Sequence, residues 1–147
     1  MKYLNKALLW VSLSILLCTQ LLSQGKQELT IEIFNIKSIK GSMMLAIYDS
    51  ADTFLGRQVV KGLTIPVTQK GKMQFVVKDL PLGTYAFSIY HDENDNRVLD
   101  TNLMRFPREP FGFSNKAKGR FGPPSFKKAK IKFETNAQVI ELSLIHI

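Results

Sequence analysis

The sequence predicts an all-β fold: a β-sandwich of about seven strands, immunoglobulin-like or transthyretin-like, preceded by a signal-peptide helix. Three observations predict it. Beyond position 26 apolar residues recur with a period of two. Such runs are separated at short intervals by Gly, Pro and Asn. No stretch of useful length there keeps a period of 3.6, and the pattern is that of two packed antiparallel sheets.

The first 25 residues stand apart. Lys2 and Lys6 precede the apolar run "ALLWVSLSILLC" (7–18), and small residues follow at Ser23 and Gly25. The run is too short to span a bilayer comfortably, and its flanks are those of a secretory signal cleaved near Gly25. Residues 26–147 then form a single β-sandwich domain of an exported protein, periplasmic or extracellular. The only cysteine, Cys18, and the only tryptophan, Trp10, leave with the leader. The mature chain is left without a disulfide, a thiol nucleophile or a thiolate metal site. Loss of Lys2 and Lys6 takes the formal net charge from +8 to +6. In an exported protein that balance favours anionic surfaces, lipid head groups or acidic glycans over nucleic acid.

The strands follow in order. "LTIEIFNI" (29–36) sets Leu29, Ile31 and Ile33 against Thr30 and Glu32. After a polar turn with Gly41, "MMLAIYD" (43–49) is almost continuously apolar, as a central strand is. "RQVVKGLTIPVTQKG" (57–71) holds one or two short strands, with Pro66 marking an edge. "KMQFVVKDL" (72–80) directs Met73, Phe75 and Val77 to one face, and "TYAFSIY" (84–90) directs Tyr85, Phe87 and Ile89 inward. With "LPLGTY" turning between them, these two predict a β-hairpin. "KKAKIKFE" (127–134) and "QVIELSLI" (138–145) predict a second hairpin about "TNA". Residues 101–126 have no period and are rich in Gly, Pro and Phe. Their aromatics predict an ordered loop, packed on one end of the sandwich by Phe106, Phe111, Phe113, Phe121 and Phe126.

Oxygen gathers in "YHDENDNRVLDTN" (90–102). Asp92, Asn94, Asn96 and Asp100 stand at relative positions one, three, five and nine, with the Val98 carbonyl at seven. This is the ligand spacing of the first part of an EF-hand-type calcium loop. Arg97 stands where such loops need glycine, and Leu103 where they carry a bidentate glutamate. Missing ligands would come from Asp49, Asp52, Glu93 or water, so a bound Ca2+ would be held weakly, on the order of 10⁻⁴–10⁻³ M. The alternative is a well-made polar turn with no cofactor, closed by the Arg97 guanidinium on Asp92 or Asp95.

A second constellation interleaves charge with aromatics: Arg105, Arg108, Phe111, Phe113, Lys116, Lys118 and Arg120. It would suit an anionic glycan, a lipid head group or an envelope protein. Otherwise its phenylalanines plug the core while the basic groups face water. Catalytic signals are sparse. His91, Asp92, Ser114 and Ser125 have no nucleophile elbow or oxyanion motif beside them. Acids crowded on one loop are a poor source of a glycosidase pair. Two histidines without cysteine make no zinc site. The expectation is a non-catalytic exported domain that binds or builds at the cell envelope. The alternatives are a hydrolase of envelope carbohydrate or lipid using His91 and the adjacent acids, and an accessory domain assembling through a strand edge.

Three segments together, "GTYAFSIYHDENDNRVLDTN", "FPREPFGFSN" and "GRFGPPSFKKAKIKF", resemble a bacterial secreted family catalogued as domain of unknown function 2141. The resemblance runs from Leu29 to Ile145. Its pattern HDxNxNxxxD, an EGFGFSN-like stretch and FGPPSFxxA fall on His91–Asp100, Glu109–Asn115 and Phe121–Ala129. Similar members usually carry glycine after each asparagine, where this chain has Asp95 and Arg97. Pro110 and Phe111 also stand where a small residue and an aromatic are usual. With the glycines gone, Asn96 can still adopt a left-handed conformation, which would keep the turn. The resemblance implies an exported β-domain and no particular activity.

Overall fold

A computed structural model describes residues 27–146, and the predicted signal peptide with its helix lies outside the described residues. Eight strands form: β1 (Glu28–Ile36), β2 (Ser42–Tyr48), β3 (Lys61–Pro66), β4 (Gly71–Lys78), β5 (Gly83–Asp92), β6 (Phe111–Phe113), β7 (Ile131–Phe133) and β8 (Gln138–Ser143). One sheet has the order β4-β1-β8, with β1 antiparallel to β4 and parallel to β8. The other runs β3-β2-β5, and β6 and β7 share the far side of β5. The period-two residues do what their pattern predicts. Leu29, Ile31, Ile33, Val77 and Leu142 of the first sheet meet Met43, Ile47, Phe87, Ile89 and Phe133 of the second in one core. Burying each such side chain stabilises the fold by about 1.5–3 kcal/mol. Pro66 sits on an edge strand opposite Ser42, where its missing N–H is harmless.

Neither predicted hairpin forms. β4 and β5 lie in different sheets, and so do β7 and β8. An alternating strand buries one face equally well in either sheet around a shared core, so the connection decides. Between β4 and β5 the chain makes a corner. Leu80 is buried, and Tyr85 Oη donates to the Pro81 carbonyl at 3.0 Å. The Tyr85 ring lies close over Gly83, where a Cβ would stand 3.2 Å from its atoms. Between β7 and β8, Ala137 turns left-handed (φ 60°) and donates its N–H to Glu28 O at 3.0 Å, which draws the chain across to β1.

The strand predicted over 127–134 begins only at Ile131. Phe126–Ala129 forms a helical turn, α1. Ala129 packs with Ala86 and Ala117 in a small cluster under Phe54, Phe113 and Phe126. Ala86 alternates with the inward Tyr85 and Phe87, so this cluster covers the outer face of β5. The part of the long loop around Phe113, Ala117 and Phe126 therefore lies on a sheet face. Phe113 and Phe126 pack about Phe54, with ring centroids 6.4 and 5.8 Å away. Phe106 and Phe121, predicted to pack, are exposed. Phe111 and Ile145 exchange backbone hydrogen bonds and join the two sheets along one side.

Candidate functional site

β5 ends at Asp92, and the chain turns there around that residue's carboxylate. Asp92 is wholly buried. Its Oδ1 accepts the Asn96 N–H at 3.1 Å and its Oδ2 the Arg97 N–H at 2.7 Å. Two N–H groups reach one carboxylate only if the backbone coils tightly. The residues that coil are Asp95 (φ 56°) and Arg97 (φ 64°), while Asn96, which could also have turned left-handed, is not among the positive-φ residues. The backbone keeps a conformation suited to glycine where glycine is absent, at roughly 1–2 kcal/mol for a residue such as Arg97.

The asparagines complete the closure. Asn94 Oδ1 accepts the Asn96 N–H at 3.1 Å, and Asn96 Oδ1 accepts the Val98 N–H at 2.8 Å. Their amide groups then face Asp100, Asn94 Nδ2 donating to Oδ2 at 2.8 Å and Asn96 Nδ2 to Oδ1 at 3.1 Å. Glu109, 7% exposed, clamps the base of the loop. Its Oε1 accepts the Glu93 N–H at 3.1 Å and its Oε2 the Asp100 N–H at 3.0 Å. The Arg97 guanidinium does not close the loop as expected, since the ion pairs among the described residues leave it out. Backbone N–H groups take that part. Near these two acids the Tyr90 hydroxyl has its pKa raised, first by burial and then by the charges of Asp92 and Glu109.

As placed, the oxygens of this loop are turned toward N–H donors. Calcium takes six to eight oxygens. The carboxylate of Asp92, the carbonyl oxygens of Asn94 and Asn96 and the carboxylate of Asp100 already accept hydrogen bonds. Both asparagines are pinned so that NH2, not oxygen, meets Asp100. Among the described residues no group of three or more His, Cys, Asp or Glu is arranged to hold a metal ion. Asp49 and Asp52 cannot supply the missing ligands. In the β2–β5 ladder Ser42 is opposite Asp92 and Tyr48 opposite Ala86, which puts Asp49 about 20 Å from Asp92 at 3.3 Å per residue.

Of the candidate catalytic residues, His91, Asp92 and Ser114 are buried in the architecture, while Ser125 is exposed. His91 is wholly buried, with Nε2 2.7 Å from Lys40 O and its N–H donated to Pro110 O. Its Nδ1 has no hydrogen-bond partner, and Glu93 Oε1 stands 3.7 Å away. The turn before β2 packs closely on the end of β5, because a Cβ on Gly41 would come within 1.8 Å of Asp92 O. Ser114 is also buried. Its Oγ accepts the Phe87 N–H at 2.8 Å and donates to Ala129 O at 2.6 Å. That serine fills the gap on β5 between the short strands β6 and β7. A cavity of about 400 Å³ beside it is lined by Ser114, Asn115, Lys116, Ile131, Ile140 and Glu141, and neither His91 nor the loop acids reach it.

The basic-aromatic residues divide into two groups. Arg105 and Arg108 are exposed on and beside a turn closed by the Thr101–Pro107 bridge. Phe111 and Phe113 are half-buried in β6. Lys116, Lys118 and Arg120 are exposed beyond β6, with Lys116 3.8 Å from Glu141 and the Arg120 guanidinium 5.4 Å from the Phe121 ring centre. β6 stands between the groups, Phe111 opposite Tyr90 and Phe113 opposite Ser88. Sequence reasoning passed over three features. Glu109, the only acid between Asp100 and Glu134, is the loop clamp. Asn102 organises the neighbouring turn through its side-chain oxygen. Leu103 and Met104 stand in solvent at that turn. A lone glutamate after an acidic loop was the one available signal.

A family model described as an uncharacterized protein conserved in bacteria (DUF2141) matches residues 31–141. No curated protein and no solved structure matches the chain.

Proposed function

This chain belongs to the uncharacterised bacterial family DUF2141, a membership that carries no activity, and we propose from its own geometry that it is a non-catalytic binding domain of the cell envelope. One observation carries the reading. The polar groups of its motifs, on Asp92, Asn94, Asn96, Asp100, Glu109 and Ser114, are engaged in hydrogen bonds that build the fold. The arginines of the adjoining turn are left in solvent. A catalyst needs its acid, base or nucleophile free to reach a substrate, and here His91, Asp92 and Ser114 are buried.

The surface that remains for contact is basic and aromatic, and the formal charge of +6 beyond the leader favours anionic envelope partners. The leader itself, Lys2 to Gly25, is the ground for export. The acidic loop serves as a self-closed support for that surface and does not require a calcium ion. For the sheets, an immunoglobulin-like arrangement is supported by the corner at Tyr85. There a tyrosine at the start of a strand bonds back to the backbone four residues upstream, as in sandwiches of that kind.

The test is retention on an immobilised polyanion, a sulfated polysaccharide, at low ionic strength. The reading predicts retention that salt reverses. Passage without retention, together with turnover of glycoside or ester substrates that Glu93→Gln abolishes, would instead establish the hydrolase.

A further inference from the structure

Residues 110–133 carry seven cations and no acid. All seven side chains are exposed. The fold gathers them on one surface. Lys116 and Lys118 flank buried Ala117, and Lys127 and Lys128 precede buried Ala129 in α1. Ala117 and Ala129 pack together with Ala86, so both pairs of lysines stand on the cover of β5. Two hydrogen bonds fasten the stretches to each other. Ser114 Oγ donates to Ala129 O at 2.6 Å, and Asn115 Nδ2 donates to Lys128 O at 2.8 Å. Lys130 and Lys132 alternate with half-buried Ile131 and buried Phe133. Lys132 is opposite Thr84, which shares the outer face of β5 with Ala86.

The acids on the bordering segments do not cancel this charge. The loop of Phe54, which packs on Phe113 and Phe126, carries Asp49, Asp52 and Arg57. Glu134 follows β7, 3.3 Å from Lys132, and Glu141 lies on β8, 3.8 Å from Lys116. Counted together, eight cations stand against four acids. Lys118, Arg120, Lys127, Lys128 and Lys130 are outside every ion pair among the described residues. The acidic pole is the reverse case, with five carboxylates against three arginines over residues 91–109. Like charges gathered on one surface favour a partner that brings many anionic groups at once. These cations are spread over two stretches and all are in solvent, which suits a linear polyanion better than one small anion. Lysine is a flexible point charge and meets sulfate or carboxylate groups of irregular placement. Phe121 is 94% exposed, the one large apolar side chain of residues 110–133 so placed, and the Arg120 guanidinium lies 5.4 Å from its ring centre. A single ring gives a bilayer little to take up, whereas it offers a flat face to a sugar. We infer that the cover of β5 is a binding face for an acidic polysaccharide, whose anionic groups meet Lys118, Arg120, Lys127, Lys128 and Lys130. This rests on the envelope-binding reading and names its ligand and its face.

The experiment is equilibrium binding of protein, produced from the full chain, to dextran sulfate and to polygalacturonate, with uncharged dextran as the control polymer. The expected result is binding to both polyanions that salt reverses, and none to dextran. Lys127→Gln/Lys128→Gln/Lys130→Gln should weaken it about tenfold at low ionic strength. Lys37→Gln/Lys40→Gln/Lys70→Gln removes the same charge from exposed turns outside the cover and should change it less than about twofold. All six positions are exposed, so both variants should melt with the parent. Equal weakening in the two triple variants would mean that net charge alone attracts the polymer, and overturns the inference. So does binding that survives in the cover variant and is lost in Arg105→Gln/Arg108→Gln, although the envelope-binding reading would then stand. Tighter binding of phosphatidylglycerol vesicles or duplex DNA through the same lysines would give the face to that partner and overturn the polysaccharide. No binding of the parent to either polyanion ends both readings.

Discussion

Arg97 concentrates the physics of the acidic loop in one residue. Its backbone is left-handed and its N–H bonds a buried carboxylate, while its side chain is exposed and outside every ion pair among the described residues. Replacing it with glycine removes a strained φ and keeps the N–H. Arg97→Gly should therefore stabilise the protein by about 0.5–1 kcal/mol in denaturant unfolding. Destabilisation would mean that the guanidinium holds the loop. Ser114 makes the opposite case. Ser114→Ala leaves the Phe87 N–H and the Ala129 carbonyl without their buried partner. The expected loss is about 1–3 kcal/mol, measured the same way. A neutral result would remove its structural role. The spacing of Asp92, Asn94, Asn96 and Asp100 was legible in the sequence, but spacing only brings oxygens together. Whether they receive N–H groups or a cation depends on where backbone donors point, and that was set by left-handed turns at Asp95 and Arg97 that no glycine announced.

Among the elements, the strands were easier to read than their partners. Leu29, Ile31 and Ile33, or Tyr85, Phe87 and Ile89, declare an inward face by period two. Period two does not say which sheet a strand joins, and two runs with a short turn between them suggest a hairpin by default. The deciding information lay in the connections. Leu80, Gly83 and Tyr85 make a corner through burial, a bare Cα beneath a ring and one hydroxyl bond. Tyr85→Phe keeps the ring and removes the bond, so it should lower stability by about 0.5–1.5 kcal/mol. Unchanged unfolding would show that packing alone makes the corner. The aperiodic stretch 101–126 was legible only as ordered. Its strand β6 is three residues long, and its hold on β5 depends on Ser114 and on Phe113 and Phe126 about Phe54, contacts with no local sequence signature.

At the scale of the whole molecule, two sheets share a core and β5 carries the family motifs on its exit and on the segments that cover it. The same motif residues that look chemical in one dimension are, in three, the fastenings of a pole whose exposed groups are Arg97, Arg105, Arg108, Leu103 and Met104. The division of labour is physical. Fastenings must be buried and satisfied, and contact groups must be free and solvated. Its most direct test is the melting temperature with millimolar calcium and then with excess chelator. Binding to the folded state raises that temperature in proportion to saturation. A loop whose oxygens are satisfied by its own N–H groups predicts the same melting temperature in both solutions. A rise that grows with calcium and disappears in Asp100→Ala would contradict it.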